Sequence, residues 1–205
     1  MSAALDVSSS FGLGPYTAED LHNSPDEGKG FELWNGWLIE KMSPSLRHNR
    51  MSRGLRHLFI EAARRAEADV LVDGGDYEFT FPTGIRIPDV FVLDAKAEEI
   101  GVADDETYID PANLLLVAEV VSPRSGSEAH DRKIKRDEYA LAGIPHYWIV
   151  DFRPIPRIEA LDLEHGRYVR SSMVTGDEVL VVERPFEISV SPTVLYELGR
   201  RDFAG

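Results

Sequence analysis

The sequence predicts an α/β (α+β) domain, a mixed central sheet flanked by helices, on three observations. Helix-period and strand-period stretches succeed one another as helix, meander, helix, strand. Two strand-like stretches, 85–93 and 114–121, are near-continuous apolar runs, the pattern of strands covered on both faces. The chain has 205 residues, 43% of them hydrophobic, which is enough apolar surface for one well-filled core. Residues 1–15 read as a flexible N-terminus and residues 16–205 as a single domain.

Each element has a local cause. Thr17 with Asp20 three residues on is a capping box that opens a short helix, ended before Ser24-Pro25. Asn35-Gly36 tolerates positive φ at both turn positions and joins 31–34 to 37–40 in a tight hairpin. Ser45 caps a helix in which Met51, Leu55, Leu58, Phe59 and Ala62 recur at helical spacing. The same spacing turns His48 to the buried side and leaves arginines on the other face. Strands are expected at 70–72, 77–81, 85–93 and 114–121, with a polar loop over 96–110. A helix over about 127–142 stops at Gly143-Ile144-Pro145. Strands at 147–150, 158–163, 168–171 and 179–182 follow, and Ser191-Pro192 begins a terminal helix.

Composition narrows the chemistry. Without cysteine there are no disulfides, thiolate zinc sites or Cys nucleophiles, so carboxylates and six histidines are left as metal ligands, which favours a hard metal. No run of about 18 apolar residues and no basic-then-apolar N-terminus is present, so a cytoplasmic, non-membrane protein is expected. The net charge of −14 opposes generic nucleic-acid binding. Basic residues nevertheless concentrate in 41–65 and 124–136. These are either solvated helix faces or a surface that follows a phosphate backbone.

Two acids interrupt the most apolar strands. Asp89 follows Pro88 within Ile87-Pro88-Asp89-Val90-Phe91-Val92, and Glu119 lies within Leu116-Val117-Ala118-Glu119-Val120-Val121. A buried carboxylate must be paired, hydrogen-bonded or bound to a cation. Strand-end acids facing solvent or an arginine are one reading; a shared cation is the other.

A proline-preceded acid on one strand and an acid on the next resembles the PD-(D/E)XK nuclease superfamily, although Val121 stands where its lysine belongs. The chain is more closely similar to the Uma-two family of putative restriction endonucleases, in which that lysine sits on the following helix. The resemblance rests on Glu32-Leu33-Trp34-Asn35-Gly36, Ser43-Pro44-Ser45-Leu46-Arg47-His48, Pro88-Asp89-Val90 and Glu119-Val120-Val121-Ser122-Pro123. Asp131, Lys135 and Tyr139, then Gly143-Ile144-Pro145-His146-Tyr147-Trp148-Ile149-Val150-Asp151, complete it in order, over roughly 16–190. Trp37, where the family usually has an acid, departs from the pattern.

The resemblance implies a restriction-endonuclease-like fold and a magnesium- or manganese-dependent DNA endonuclease. Asp89, Glu119 and the Val120 carbonyl would hold the metal, and Lys135 would orient water or stabilise the transition state. Lys135 also has a local alternative, an i,i+4 pair with Asp131, and the two roles can coexist. Glu32 is either a ligand for a second metal or a neighbour of the site, and His48 either contacts a phosphate or carboxylate or is a core histidine. A homodimer through the 31–37 hairpin is expected, because cutting both strands commonly takes two sites. The alternative function is a weak or inactive nuclease-fold module that binds DNA or a partner protein.

Overall fold

Asn35 and Gly36 take φ of 48° and 80°, which closes β1 (Phe31–Trp34) onto β2 (Trp37–Glu40) as a tight antiparallel hairpin. The computed structural model describes residues 14–24, 28–41, 43–121, 128 and 130–200, so nearly all of the expected flexible start lies outside the described residues. Thr17 and Asp20 form the reciprocal capping box of α1 (Ala18–His22). The Ser45 hydroxyl accepts the His48 amide at the start of α2 (Leu46–Arg65).

The apolar run 85–93 is not one strand. It splits into β5 (Gly84–Arg86) and β6 (Val90–Asp94), which lie in different sheets. Pro88 has no N–H for a ladder, so the chain leaves one sheet before it and enters the other after it. The polar 96–110 stretch is likewise not a loop. Asp94 caps α3 (Ala95–Ala103) by accepting the Lys96 amide, and β7 (Tyr108–Ile109) follows.

Among the described residues, β5 joins the hairpin, β4 (Glu78–Phe81) and β7 in a sheet ordered β2-β1-β5-β4-β7. The larger sheet is ordered β11-β10-β9-β8-β6-β3, with β3 (Val70–Asp73), β8 (Leu114–Val121), β9 (His146–Asp151), β10 (Arg157–Glu164) and β11 (Arg167–Thr175). Its β8–β9 pair is parallel and its other pairs are antiparallel. A small hairpin pairs β12 (Leu180–Val182) with β13 (Ile188–Val190), and Ser191 caps α5 (Pro192–Leu198). Within the expected helix at 127–142, a π-helical turn, His130–Ile134, precedes α4 (Lys135–Leu141).

Both faces of the large sheet are covered. Val90, Val92, Leu116, Ala118 and Val120 pack against Met51, Leu55 and Phe59 of α2 on one side. Phe91, Val117, Val121 and Ile149 pack against Phe79, Phe81 and Tyr139 on the other. Phe59 meets Trp148 edge to face at 5.3 Å. Double coverage explains why β8 is apolar at nearly every position, and why its one acid must find partners inside the protein. Among the described residues, no helix is long and apolar enough to cross a membrane.

The arginine face of α2 is largely engaged within the molecule. Arg50 donates to the Tyr196 carbonyl at 3.1 Å and lies over its ring, and Arg53 donates to the Gly199 carbonyl at 3.2 Å. Arg56 pairs with Asp73 at 3.1 Å and Arg64 with Glu61 at 2.6 Å. The helices approach closely enough that a Cβ on Gly54 would lie 2.2 Å from the Leu195 carbonyl oxygen. The basic face expected to follow a phosphate backbone is therefore partly an interface with α5.

Candidate active site

Strand register sets the centre of the site. Val90 pairs with Ala118 in the antiparallel β6–β8 ladder, so one step further Asp89 stands opposite Glu119, and Pro88 opposite Val120. Directly opposed residues share a sheet face. Asp89 Oδ2 accepts the Val120 amide at 2.8 Å and meets His48 Nε2 at 3.1 Å. The loop after β3 presses against this turn: a Cβ on Gly74 would lie 2.0 Å from the Asp89 carbonyl oxygen, which leaves room there only for glycine.

The second carboxylate is held from α4. Lys135 Nζ donates to Glu119 Oε1 at 3.0 Å, and the Tyr139 hydroxyl donates to the same oxygen at 2.7 Å. Lys135 and Tyr139 are one helical turn apart, so both reach one point on the sheet. Lys135 Nζ also lies 3.1 Å from Glu32 Oε1, and that oxygen accepts the Ile87 amide at 3.1 Å. Lys41 Nζ donates to the Ile87 carbonyl at 2.9 Å. Glu32, Glu119 and Lys135 are all buried. Lys133 is exposed, and the Asp131 side chain lies outside the described residues, so its pairing with Lys135 is not part of this geometry.

Asp89, Glu119, Lys135, Glu32 and His48, drawn from five separate stretches of sequence, thus meet in one charged cluster. Two further side chains join them that were not expected as site residues. Lys41 stood out only as one of many basic residues, and Tyr139 only as a residue of the helical pattern it shares with Asp131 and Lys135. A capped helix that turns His48 inward was the one local clue to a neighbour for Asp89.

The charges act on one another. Burial pushes the Asp89 carboxyl up, but the His48 hydrogen bond and the charges of His48, Lys41 and Lys135 outweigh it and hold the group well below the usual carboxylate range. Burial also favours the neutral His48 imidazole, yet the Asp89 hydrogen bond and the Asp89 and Glu119 charges raise its pKa above the ordinary 6.5. Glu32 is lowered: burial opposes its charge, and Lys135, Lys41 and Arg86 overcome that. Burial, reinforced by the Glu119 charge, raises Tyr139 well above 10.0, so its hydroxyl remains a donor.

These shifts carry a measurable consequence. In metal-free protein His48 should titrate above 6.5, and Asp89→Asn should move that midpoint down, because burial then acts without the carboxylate. The raised value means the pair stabilises the fold fully below the unfolded imidazole pKa and loses that contribution as pH rises through the folded one. Imidazole NMR shifts against pH test this, and an unchanged midpoint in Asp89→Asn would disprove the coupling.

The donor set fits a hard divalent cation. Among the described residues, the hydrogen bonds of Asp89 all fall on Oδ2, which leaves Oδ1 as a largely buried oxygen without a donor. The Val120 amide points toward the Asp89 side, so its carbonyl points there too, where Pro88 has no N–H to offer it. Among the described residues no three His, Asp or Glu side chains form a cage. Two carboxylates and a main-chain carbonyl, with the remaining positions left to water and substrate, suit magnesium better than a full protein cage would.

The profile of the family described as Uma2, putative restriction endonuclease, matches residues 18–195. Among solved structures, the chain is similar to a putative nuclease belonging to DUF820 from Anabaena variabilis. The two share 15% identity with a TM-score of 0.65, covering 90% of this chain and 99% of that one. At that identity the likeness is one of fold. No curated protein matches the chain.

Proposed function

The chain belongs to the Uma2 family of putative restriction endonucleases and has a restriction-endonuclease-like fold, and from that premise we propose that it is a magnesium-dependent DNA endonuclease, with manganese able to replace magnesium. The observation that carries this reading is the β6–β8 register, which sets Asp89, the residue just before β6, opposite Glu119 of β8, with an ammonium group 3.0 Å from the second carboxylate. Asp89, Glu119 and the Val120 carbonyl hold the ion. Bound magnesium supplies Lewis acidity toward a phosphoryl oxygen and toward water.

The protein's own groups do the rest. His48 and the Val120 amide hold Asp89 through Oδ2, and Tyr139 with Lys135 holds Glu119 at Oε1, so both carboxylates are oriented before a cation arrives. Lys135 presents a fixed positive charge beside Glu119, where charge grows on the phosphorus oxygens as water attacks. In this geometry Glu32 acts through Lys135 as a positioning residue, with its Oε1 already taken by Lys135 and the Ile87 amide.

Ligand linkage tests the metal without any turnover. Magnesium at about 100 times its Kd should stabilise the fold by about 2.7 kcal/mol. The rise in Tm should vanish in Asp89→Asn and in Glu119→Gln. A wild-type Tm indifferent to millimolar magnesium would remove the metal from this reading. Cleavage of supercoiled plasmid in magnesium, measured beside the same two variants, tests the reaction itself. A chain that binds plasmid but never cuts it would be the inactive binding module instead. The homodimer belongs to the same proposal: Trp37 is 62% exposed at the hairpin and offers an apolar contact for a second copy. Sedimentation at micromolar concentration should show a dimer, and a monomer would remove this part alone.

A further inference from the structure

Among the described residues of the cluster, Lys41 is a cation that makes no ion pair with a carboxylate. Lys135 is buried between Glu119 and Glu32, and His48 lies against Asp89. Lys41 sits just past β2, partly exposed, and among the described residues its ammonium has one side-chain hydrogen bond, to the neutral Ile87 carbonyl at 2.9 Å. An ammonium group has three N–H donors, so two are left for a ligand. The Ile87 carbonyl is two residues before Asp89, which places this charge at the edge of the carboxylate pair. Its field reaches Glu32, His48 and Asp89.

A substrate phosphate approaching two carboxylates in a chain of net charge −14 needs local positive charge to stay there. The arginines of α2 that contact α5, Asp73 and Glu61 supply little of it. We infer that Lys41 binds a backbone phosphate of the nucleic acid beside the Asp89–Glu119 pair. The inference rests on the nuclease reading and adds to it a residue that contributes affinity rather than chemistry. Its anchor on the main chain that leads into Asp89 fixes the bound phosphate relative to the carboxylates.

The test uses the full chain and a short DNA duplex. Fluorescence anisotropy without metal, from about 50 to 200 mM salt, gives the slope of log Kd against log salt, and each phosphate contact contributes about 0.9 to it. Lys41→Met should lower that slope by about 1 and weaken binding at every sequence, and Lys41→Arg should restore it. Lys96→Met, which removes an exposed lysine on α3, should leave it unchanged. In cleavage, Lys41→Met should raise KM about tenfold with kcat altered less than about twofold, the mark of binding shared by ground and transition states. Wild-type binding with an unaltered slope in Lys41→Met, or equal losses in Lys41→Met and Lys96→Met, would overturn this assignment alone. No DNA binding by the wild-type chain would overturn the nuclease reading and this assignment with it.

Discussion

Lys135→Ala should lower the rate of DNA cleavage about a hundredfold or more, the cost of removing one fixed charge aimed at a developing anion. DNA affinity should change little, because the ammonium is buried between Glu119 and Glu32, at 3.0 and 3.1 Å, and offers little to the ground-state duplex. An interaction made mainly in the transition state lowers kcat and kcat/KM together. Lys133→Ala is the matched control, since Lys133 is exposed on the same segment and should cost little. Single-turnover cleavage at saturating enzyme, with magnesium present and folding checked by circular dichroism, reads the chemical step. Equal rates in the two variants would end the mechanism in which the lysine acts from the helix. The fold would be untouched by that result, because β6, β8 and their register do not depend on Lys135.

Arg86→Met should lose about 3–5 kcal/mol of stability, because it leaves Glu138 as a buried charge without its partner. Arg86 is fully buried and forks onto Glu138, Nε to Oε2 and Nη2 to Oε1, both at 2.7 Å. Its other donor meets the Leu33 and Ile85 carbonyls, and the Thr83 hydroxyl also donates to Glu138. The network joins the hairpin, β5 and α4, and α4 carries Lys135. At roughly 2–4 °C per kcal/mol for a chain of this size, Tm should fall by roughly 6–20 °C. Replacing both partners, Arg86→Met with Glu138→Leu, should recover most of the loss, since no buried charge is then left unpaired. A loss in Arg86→Met below about 1 kcal/mol would show that water reaches Glu138 and that the network is not closed.

Much of this molecule is legible locally. The Asn35-Gly36 hairpin, the Thr17–Asp20 box, the Ser45 and Ser191 caps and strand β8 lie where turn chemistry, capping and apolar patterning put them, because each depends on neighbours within a few positions. The errors share a cause as well. The run 85–93 reads as one strand because apolarity cannot show that Pro88 passes the chain from one sheet to another. The stretch 96–110 reads as a loop because α3 is short and weakly patterned, and rests on its Asp94 cap. The π-helical turn before α4 has no local signature that spacing could reveal.

The site divides in the same way. The sequence by itself determined that Asp89 and Glu119 are acids within apolar runs, which requires partners for them, and that Lys135 and Tyr139 share a helical face. Only the tertiary structure decided who those partners are. The register of β6 on β8 sets Asp89 opposite Glu119, α2 brings in His48, and the hairpin delivers Glu32 and Lys41 from more than forty residues before Asp89. It also decided that Arg50 and Arg53 of α2 engage α5 and its C-terminal end. The physical reason is one of range. Capping, turn geometry and periodicity act between residues a few positions apart, whereas a buried charge is stabilised by whatever the packed chain places within about 3 Å of it, at any separation in sequence.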